Sequence, residues 1–324
     1  VDPDTDDWKT SVSMAYELDI WGKNRRAREA AVAELRGDVE RRRSVALTLA
    51  GDVTTTYVDY RTLERRRDVA LRTLQSRETA LALVRDRERA GLGTDLDVAR
   101  AEAERASAAA AIPELDRQLA ISEHRLSILT GAAPGAVKGV LAERAKELEA
   151  FPVPVGVPAS LLARRPDVRE SAERLRAATA RIGQAKADLF PQIVLAGEIG
   201  LEATEPGKLF QSAAAYWATG PQLKVPLFDA FRRVNSWRAA EERQTEAFYD
   251  LSSRVLTAFG EVEDALASVR EDARRRDALR TAAESSARAT RIATDKFQAG
   301  LVAFLDVIEA QRTEFQAEDA LAEA

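Results

Sequence analysis

The stretch "AGLGTDLDVARAE" at residues 90–102 returns as "AGLVAFLDVIEAQ" at 299–311, identical at seven of thirteen positions and 209 residues away. Upstream of the first copy, residues 23–90 hold no proline and only Gly37 and Gly51. Upstream of the second, 232–299 hold no proline and only Gly260. At 1.5 Å per residue, each stretch spells a helix about 100 Å long. A second helix follows each glycine break, over 95–130 and from 303 to 324, so the doubled phrase marks the tips of two very long helical hairpins. Apolar positions are sparse and often alanine, a narrow stripe suited to close coiled packing. A polar helix of that length gains too little burial alone and needs neighbours.

A strand-like stretch precedes each long helix. In "SVSMAYELDIWG" (11–22), Val12, Met14, Tyr16, Leu18 and Ile20 alternate with Ser11, Ser13, Ala15, Glu17 and Asp19, the period of a two-faced strand. "FPQIVLAGEIGLEA" (190–203) places Ile193, Leu195, Ile199 and Leu201 on one face, and "YWATGPQLKVPLF" (216–228) does so with Leu223, Val225 and Leu227. Trp8 and Trp217, again 209 apart, stand at two of the strand starts. The first repeat thus covers 1–131: strand about 11–22, helix 23–90, tip 91–94, returning helix 95–130. A Pro/Gly-rich connector spans 132–165. The second repeat covers 166–324: helix 166–189, strands 190–203 and 216–228, helix 232–299, tip 300–302, returning helix 303–324. One strand of the first repeat is missing, and "QAEDALAEA" stops in mid-helix, so the sequence reads as a fragment lacking both natural ends.

Composition narrows the chemistry. The 48 basic residues are offset by 53 acidic ones and interleaved with them, which argues against nucleic-acid binding. With no cysteine, disulfides, zinc–thiolate sites and cysteine nucleophiles are excluded within the chain. No apolar run approaches the roughly 18 residues of a transmembrane helix, although alternating barrel strands leave little hydropathy signal. "GAAPGAVKG" (131–139) lacks the spacing of a phosphate loop and reads as a helix-ending linker. His124, the one histidine, reads as a surface helix position. The runs Arg41–Arg43, Arg65–Arg67 and Arg274–Arg276 read as solvated or inter-helix charge faces. Glu261, Glu263 and Asp264 form no acid/base pair with a nucleophile beside it. The reading is therefore no enzyme, no catalytic residue, no metal and no cofactor.

The tip aspartates differ between the copies. Thr94 is placed to cap its returning helix, with Asp97 at the capping-box position. In the second copy Ala303 and Phe304 replace Thr94 and Asp95, so the capping residue is gone while Asp306 stays and Glu309 joins it one turn on. Capping explains Asp97 and explains Asp306 less well, leaving a functional carboxylate pair as an equal alternative.

In family order, "YELDIWGKNRR" (16–26), the first tip phrase, "IPELDRQLAISEHRLSILTG" (112–131), "LLARRPDVRESAERLRAATARIGQAKADLFPQIVLAGEIG" (161–200), "VPLFDAFRR" (225–233) and the second tip phrase resemble the TolC-like outer-membrane efflux proteins, in particular their lipoprotein branch. The resemblance implies a mainly α fold with a small β part. It implies a homotrimer whose strands share one transmembrane β-barrel and whose hairpins form a periplasmic α-barrel. Glu17, Asp19 and Glu198 would then face the lumen, with Trp8 and Trp217 at the lipid interface. Carried over from the family, Asp306 and Glu309 form a periplasmic constriction, and Asp97 matches a partner in a polar contact between tips, near the tip glycines Gly91 and Gly300. The basic residue that some members place after the tip glycine is Val302 here. A signal peptide and a lipid-bearing cysteine are expected ahead of Val1.

The function this implies is a passive exit duct in the outer membrane of a Gram-negative bacterium, contacting outer-membrane lipid, a periplasmic adaptor and an inner-membrane pump. A soluble coiled-coil scaffold, or the periplasmic adaptor itself, is the rival. Composition fits it equally, but it leaves the alternating strands without a purpose.

Overall fold

The alternating stretches fold into one antiparallel sheet of order β1-β2-β3: β1 (Trp8–Glu17), β2 (Gln192–Ala203) and β3 (Ala215–Lys224). The computed structural model describes residues 6–142 and 163–324. The helices are α1 (Lys23–Arg89), α2 (Asp95–Leu129), a short α3 (Lys138–Ala142), α4 (Pro166–Ala187), α5 (Arg232–Gln298) and α6 (Phe304–Glu323), so the fold is mainly α with a small β part. Two short 3-10 turns, Pro206–Lys208 and Ser212–Ala214, lead from β2 to β3. Most of the connector expected over 132–165 lies outside the described residues. The described chain divides into two compact units, residues 6–44 with 163–259 and residues 45–142 with 260–324.

Register separates the two faces of the sheet. Trp8 pairs with Ala203 and Val12 with Ile199, which in turn pairs with Trp217. That face carries Val12, Met14, Tyr16, Leu195, Ile199, Trp217 and Leu223, all exposed, Met14 at 77%. The opposite face carries Lys9, Ser11, Ser13, Ala15, Glu17, Glu198, Glu202 and Tyr216. β1 lies earlier than the stretch 11–22, because its ladder follows β2 out to Ala203 and its last pair is Glu17 with Val194. Leu18 adds one bond, donating its N–H to the Ile193 carbonyl at 2.9 Å, and the chain then turns. Asp19, expected in the lumen, instead caps α1: its carboxylate accepts the N–H groups of Asn24 and Arg25, each at 2.9 Å. β3 stops short of residue 228 because Gln192, where β2 begins, pairs with Lys224 and nothing remains beyond it to pair with.

In the unit that contains the sheet, every buried hydrophobic residue among those described is an alanine: Ala30, Ala33, Ala177, Ala180, Ala187, Ala214, Ala240 and Ala258. Alanine lets helix backbones approach closely, while the larger Leu35, Phe248, Tyr249 and Leu256 stay exposed. Trp21 stacks on Phe190 at 4.7 Å and donates its ring N–H to the Pro191 carbonyl at 2.8 Å, joining the two corners where strand meets helix. The other unit has larger buried side chains, among them Val69, Leu81, Val84, Leu115, Phe297 and Ile308. The basic runs pair between helices or along them, as in Arg66 with Asp319 at 2.8 Å and Arg274 with Glu271 at 3.1 Å.

Each long helix stops by one mechanism. Gly91 has φ 73° and Gly300 φ 75°, the left-handed region. At the first tip the Gly91 N–H donates to Glu88 O and the Leu92 N–H to Arg87 O, both at 2.8 Å. At the second, Gly300 donates to Phe297 O and Leu301 to Lys296 O, both at 2.9 Å. These paired bonds satisfy the last carbonyls of each helix. No atom lies within 4 Å of where a Cβ would stand on either glycine, so backbone conformation alone demands glycine. Gly300→Ala is therefore expected to destabilise the tip by about 1–2 kcal/mol, the cost of a left-handed L-residue. Amide exchange at Leu301 and Val302 should quicken, with little change in exchange around the sheet.

Candidate functional site

The second unit holds both tips, and its core lies beside them. Leu81 and Val84 of α1, Ala101 of α2, Phe297 of α5, and Phe304, Val307 and Ile308 of α6 form one buried cluster. Phe297 and Phe304 meet at 5.4 Å between ring centroids. Phe304 stands where the first copy has Asp95, so the second tip exchanges a surface carboxylate for a core plug. Arg87 joins the hairpins at this level: it donates to the Phe297 carbonyl at 2.9 Å, and its guanidinium lies 4.7 Å from the centre of the Phe297 ring.

At the first tip Thr94 caps α2, accepting the Asp97 N–H at 3.2 Å and donating its hydroxyl to the Asp97 carboxylate at 2.8 Å. Among the described residues, then, Asp97 bonds within its own tip, and it is Arg87 that reaches the other hairpin. At the second tip Ala303 has no side-chain acceptor, but the Asp306 carboxylate accepts the Ala303 N–H at 3.0 Å. Asp306 therefore carries half of a capping box, a structural task that the loss of Thr94 had obscured. Glu309 lies one turn on, exposed like Asp306, with its carboxylate 3.6 Å from Arg312. The two carboxylates share an open face of α6.

A polar knot lies deeper between the hairpins. Arg77 of α1, only 5% exposed, donates to the Gln311 side-chain carbonyl at 2.6 Å and lies 3.5 Å from Glu104. Glu104 of α2 also accepts from Arg312 of α6 at 2.5 Å, and Gln311 donates to Ser76 at 3.2 Å. Burial pushes the Arg77 guanidinium below its usual range, with Glu104 opposing that shift, while the hydrogen bond to Glu104 raises Arg312. Glu309 is thereby linked through Arg312 and Glu104 to the first hairpin. Sequence reasoning did not find Arg77, one basic residue among 48, whose hydrogen-bond partner Gln311 is 234 positions away and whose ion-pair partner Glu104 is on another helix. His124 is an exposed position on α2, and among the described residues no group of side chains gathers as metal ligands do.

A sheet with an exposed apolar face, in a chain with two helical hairpins whose long helices have 67 residues each, marks a membrane-associated helical-hairpin protein. The family model "Outer membrane efflux protein" matches residues 1–132 and 157–324, and the chain belongs to that family. Nodulation protein T of Rhizobium leguminosarum bv. trifolii is 31% identical over 305 residues, 94% of this chain and 64% of that protein. Outer membrane protein OprJ of Pseudomonas aeruginosa is 33% identical over 302 residues, 93% of this chain and 63% of that protein. This chain thus spans a little under two thirds of the length of either relative. The structure of the outer-membrane channel OprN superposes with a TM-score of 0.91 at 28% identity, covering 98% of this chain and 78% of that one.

Arg77→Ala removes a charged partner from the buried Gln311 and should cost about 2–3 kcal/mol. Arg312→Ala, on the half-exposed side of the same knot, should cost less than about 1 kcal/mol. Denaturant unfolding followed by helical circular dichroism separates the two.

Proposed function

We propose that this protein is the passive exit duct of a tripartite efflux system in the outer membrane of a Gram-negative bacterium, working as a homotrimer. The observation that carries the reading is the sheet, apolar on one face, polar on the other, and, among the described residues, unpaired along both outer edges. Lipid offers no hydrogen bonds, so such edges must close against other strands. Strands of three chains complete one barrel, with the face of Met14 and Trp217 toward lipid and that of Ser13 and Glu198 toward the lumen. Family membership and the fit to OprN support the same reading.

The two repeats, 1–131 and 166–324, are joined by an equatorial connector over 132–165. Their helices extend the duct into the periplasm, and the tips around Gly91 and Gly300 are where a periplasmic adaptor docks. Energy comes from an inner-membrane pump, and solutes pass without chemical change. Asp306 and Glu309 from each chain ring the closed mouth, and Asp97 shapes the first tip. Carboxylates crowded around a narrow entrance favour cations and bind multivalent ones.

Asp306→Asn with Glu309→Gln removes the charge while leaving an acceptor for the Ala303 N–H. In planar bilayers the whole protein carrying both changes should lose cation preference and divalent block. Unchanged conductance and block would sink the gate assignment. Recovery of the full-length protein in the soluble fraction would sink the duct.

A further inference from the structure

In the unit that contains the sheet, the polar face carries a built cluster at the Trp8 end of β1. The Tyr216 hydroxyl donates to the Glu198 carboxylate at 2.7 Å. The Lys9 ammonium lies 3.3 Å from Glu198, 3.8 Å from Glu202 and 4.6 Å from the centre of the Tyr216 ring. All three strands contribute: Lys9 pairs with Glu202 across β1 and β2, and Gly200 with Tyr216 across β2 and β3.

Gly200 makes the arrangement possible. A Cβ there would stand 2.8 Å from Cε1 of Tyr216, 2.8 Å from the Ser11 Cβ and 2.5 Å from the Thr10 carbonyl oxygen. Without that Cβ the aromatic ring lies across the glycine and reaches Glu198. A strand interior that accepts glycine loses both packing and chain entropy, so the close approach has to repay it. Toward the strand middles this face is otherwise small, with Ser11, Ser13, Ala15, Ala196, Ala218 and Gly220. At the Trp8 end the cluster is where bulk and charge project from it, and Glu17 and Lys224 carry charge at the opposite end.

We propose that Lys9, Glu198, Glu202 and Tyr216 form a second selectivity ring inside the barrel, built from other residues than the tip carboxylates. The inference rests on the duct reading, which turns this face to the lumen. Each chain contributes two carboxylates and one ammonium, so the ring carries excess negative charge, trimmed by Lys9. Charged side chains at a pore level set which ions pass. Tyr216 fixes where the Glu198 charge stands, and is a positioning residue.

The test is the reversal potential of the whole protein in planar bilayers under a potassium chloride gradient. Glu198→Gln should shift it toward zero, Lys9→Gln should shift it the opposite way, and Lys9→Arg should keep the wild-type value. Both shifts should shrink at about 1 M salt, where the screening length falls to roughly 3 Å. If Glu198→Gln fails to assemble, Glu202→Gln removes a charge that accepts no hydrogen bond from Tyr216, and should shift the potential as Glu198→Gln does. Equal shifts in one direction would show a disturbed wall rather than charge selection and would overturn the ring. So would unchanged potentials here when the Asp306→Asn and Glu309→Gln protein does shift. A wild-type protein that never conducts would instead overturn the duct reading.

Discussion

Backbone hydrogen bonding along the edges of one small sheet governs the rest of this molecule. β1 and β3 each present a row of N–H and C=O groups that no strand of the described chain accepts. Water can satisfy those groups, but water is also the wrong solvent for a face of valine, methionine, tyrosine and tryptophan. In lipid that face is at ease and the edges are not. The proposed closure by further copies would meet both demands. The helices repeat the logic: alanine fills the seams of the sheet-bearing unit, while its larger apolar side chains face outward. A chain built to be complete by itself would place them the other way round.

Duplication supplied two hairpins with one kind of turn, and the copies then diverged in what surrounds it. Both tips stop their long helix with a left-handed glycine and the same pair of hydrogen bonds. The first tip restarts its helix with a threonine cap and keeps a polar surface. The second gives up the cap, drives Phe304 into the core, and hands the Ala303 N–H to Asp306. A carboxylate held at a helix start by its own backbone bond is well placed to present its remaining charge outward. The capping contact leaves one oxygen of the Asp306 carboxylate for the gating role proposed above.

The connection from tip to hairpin is electrostatic and partly buried. A guanidinium removed from water is stable only when its donors find partners. Arg77 finds Gln311 and Glu104, on two different helices. Glu104 in turn holds Arg312, the neighbour of Glu309. The open carboxylate face of α6 is thus anchored to the first hairpin by charge as well as by the buried cluster in which Leu81, Val84 and Ala101 meet Phe304, Val307 and Ile308.

What could be read from the sequence alone was most of what is written at short range. Proline-free stretches gave the long helices, the glycines their ends, and period-2 alternation the strands with their two faces, because each is a property of neighbouring residues. The repeated phrase located both tips. Strand ends, the capping role of Asp19, the Arg77 knot and the ring of Tyr216 across Gly200 were settled only in the tertiary structure. In the sequence Asp19 is one more alternating polar residue and Gly200 one more glycine. Asp19 caps residues only five and six positions on, and its role follows from where β1 ends and the chain turns. The roles of Gly200 and Arg77 depend on which residues meet across a strand pair or between hairpins, a property of the fold and not of any local run of residues.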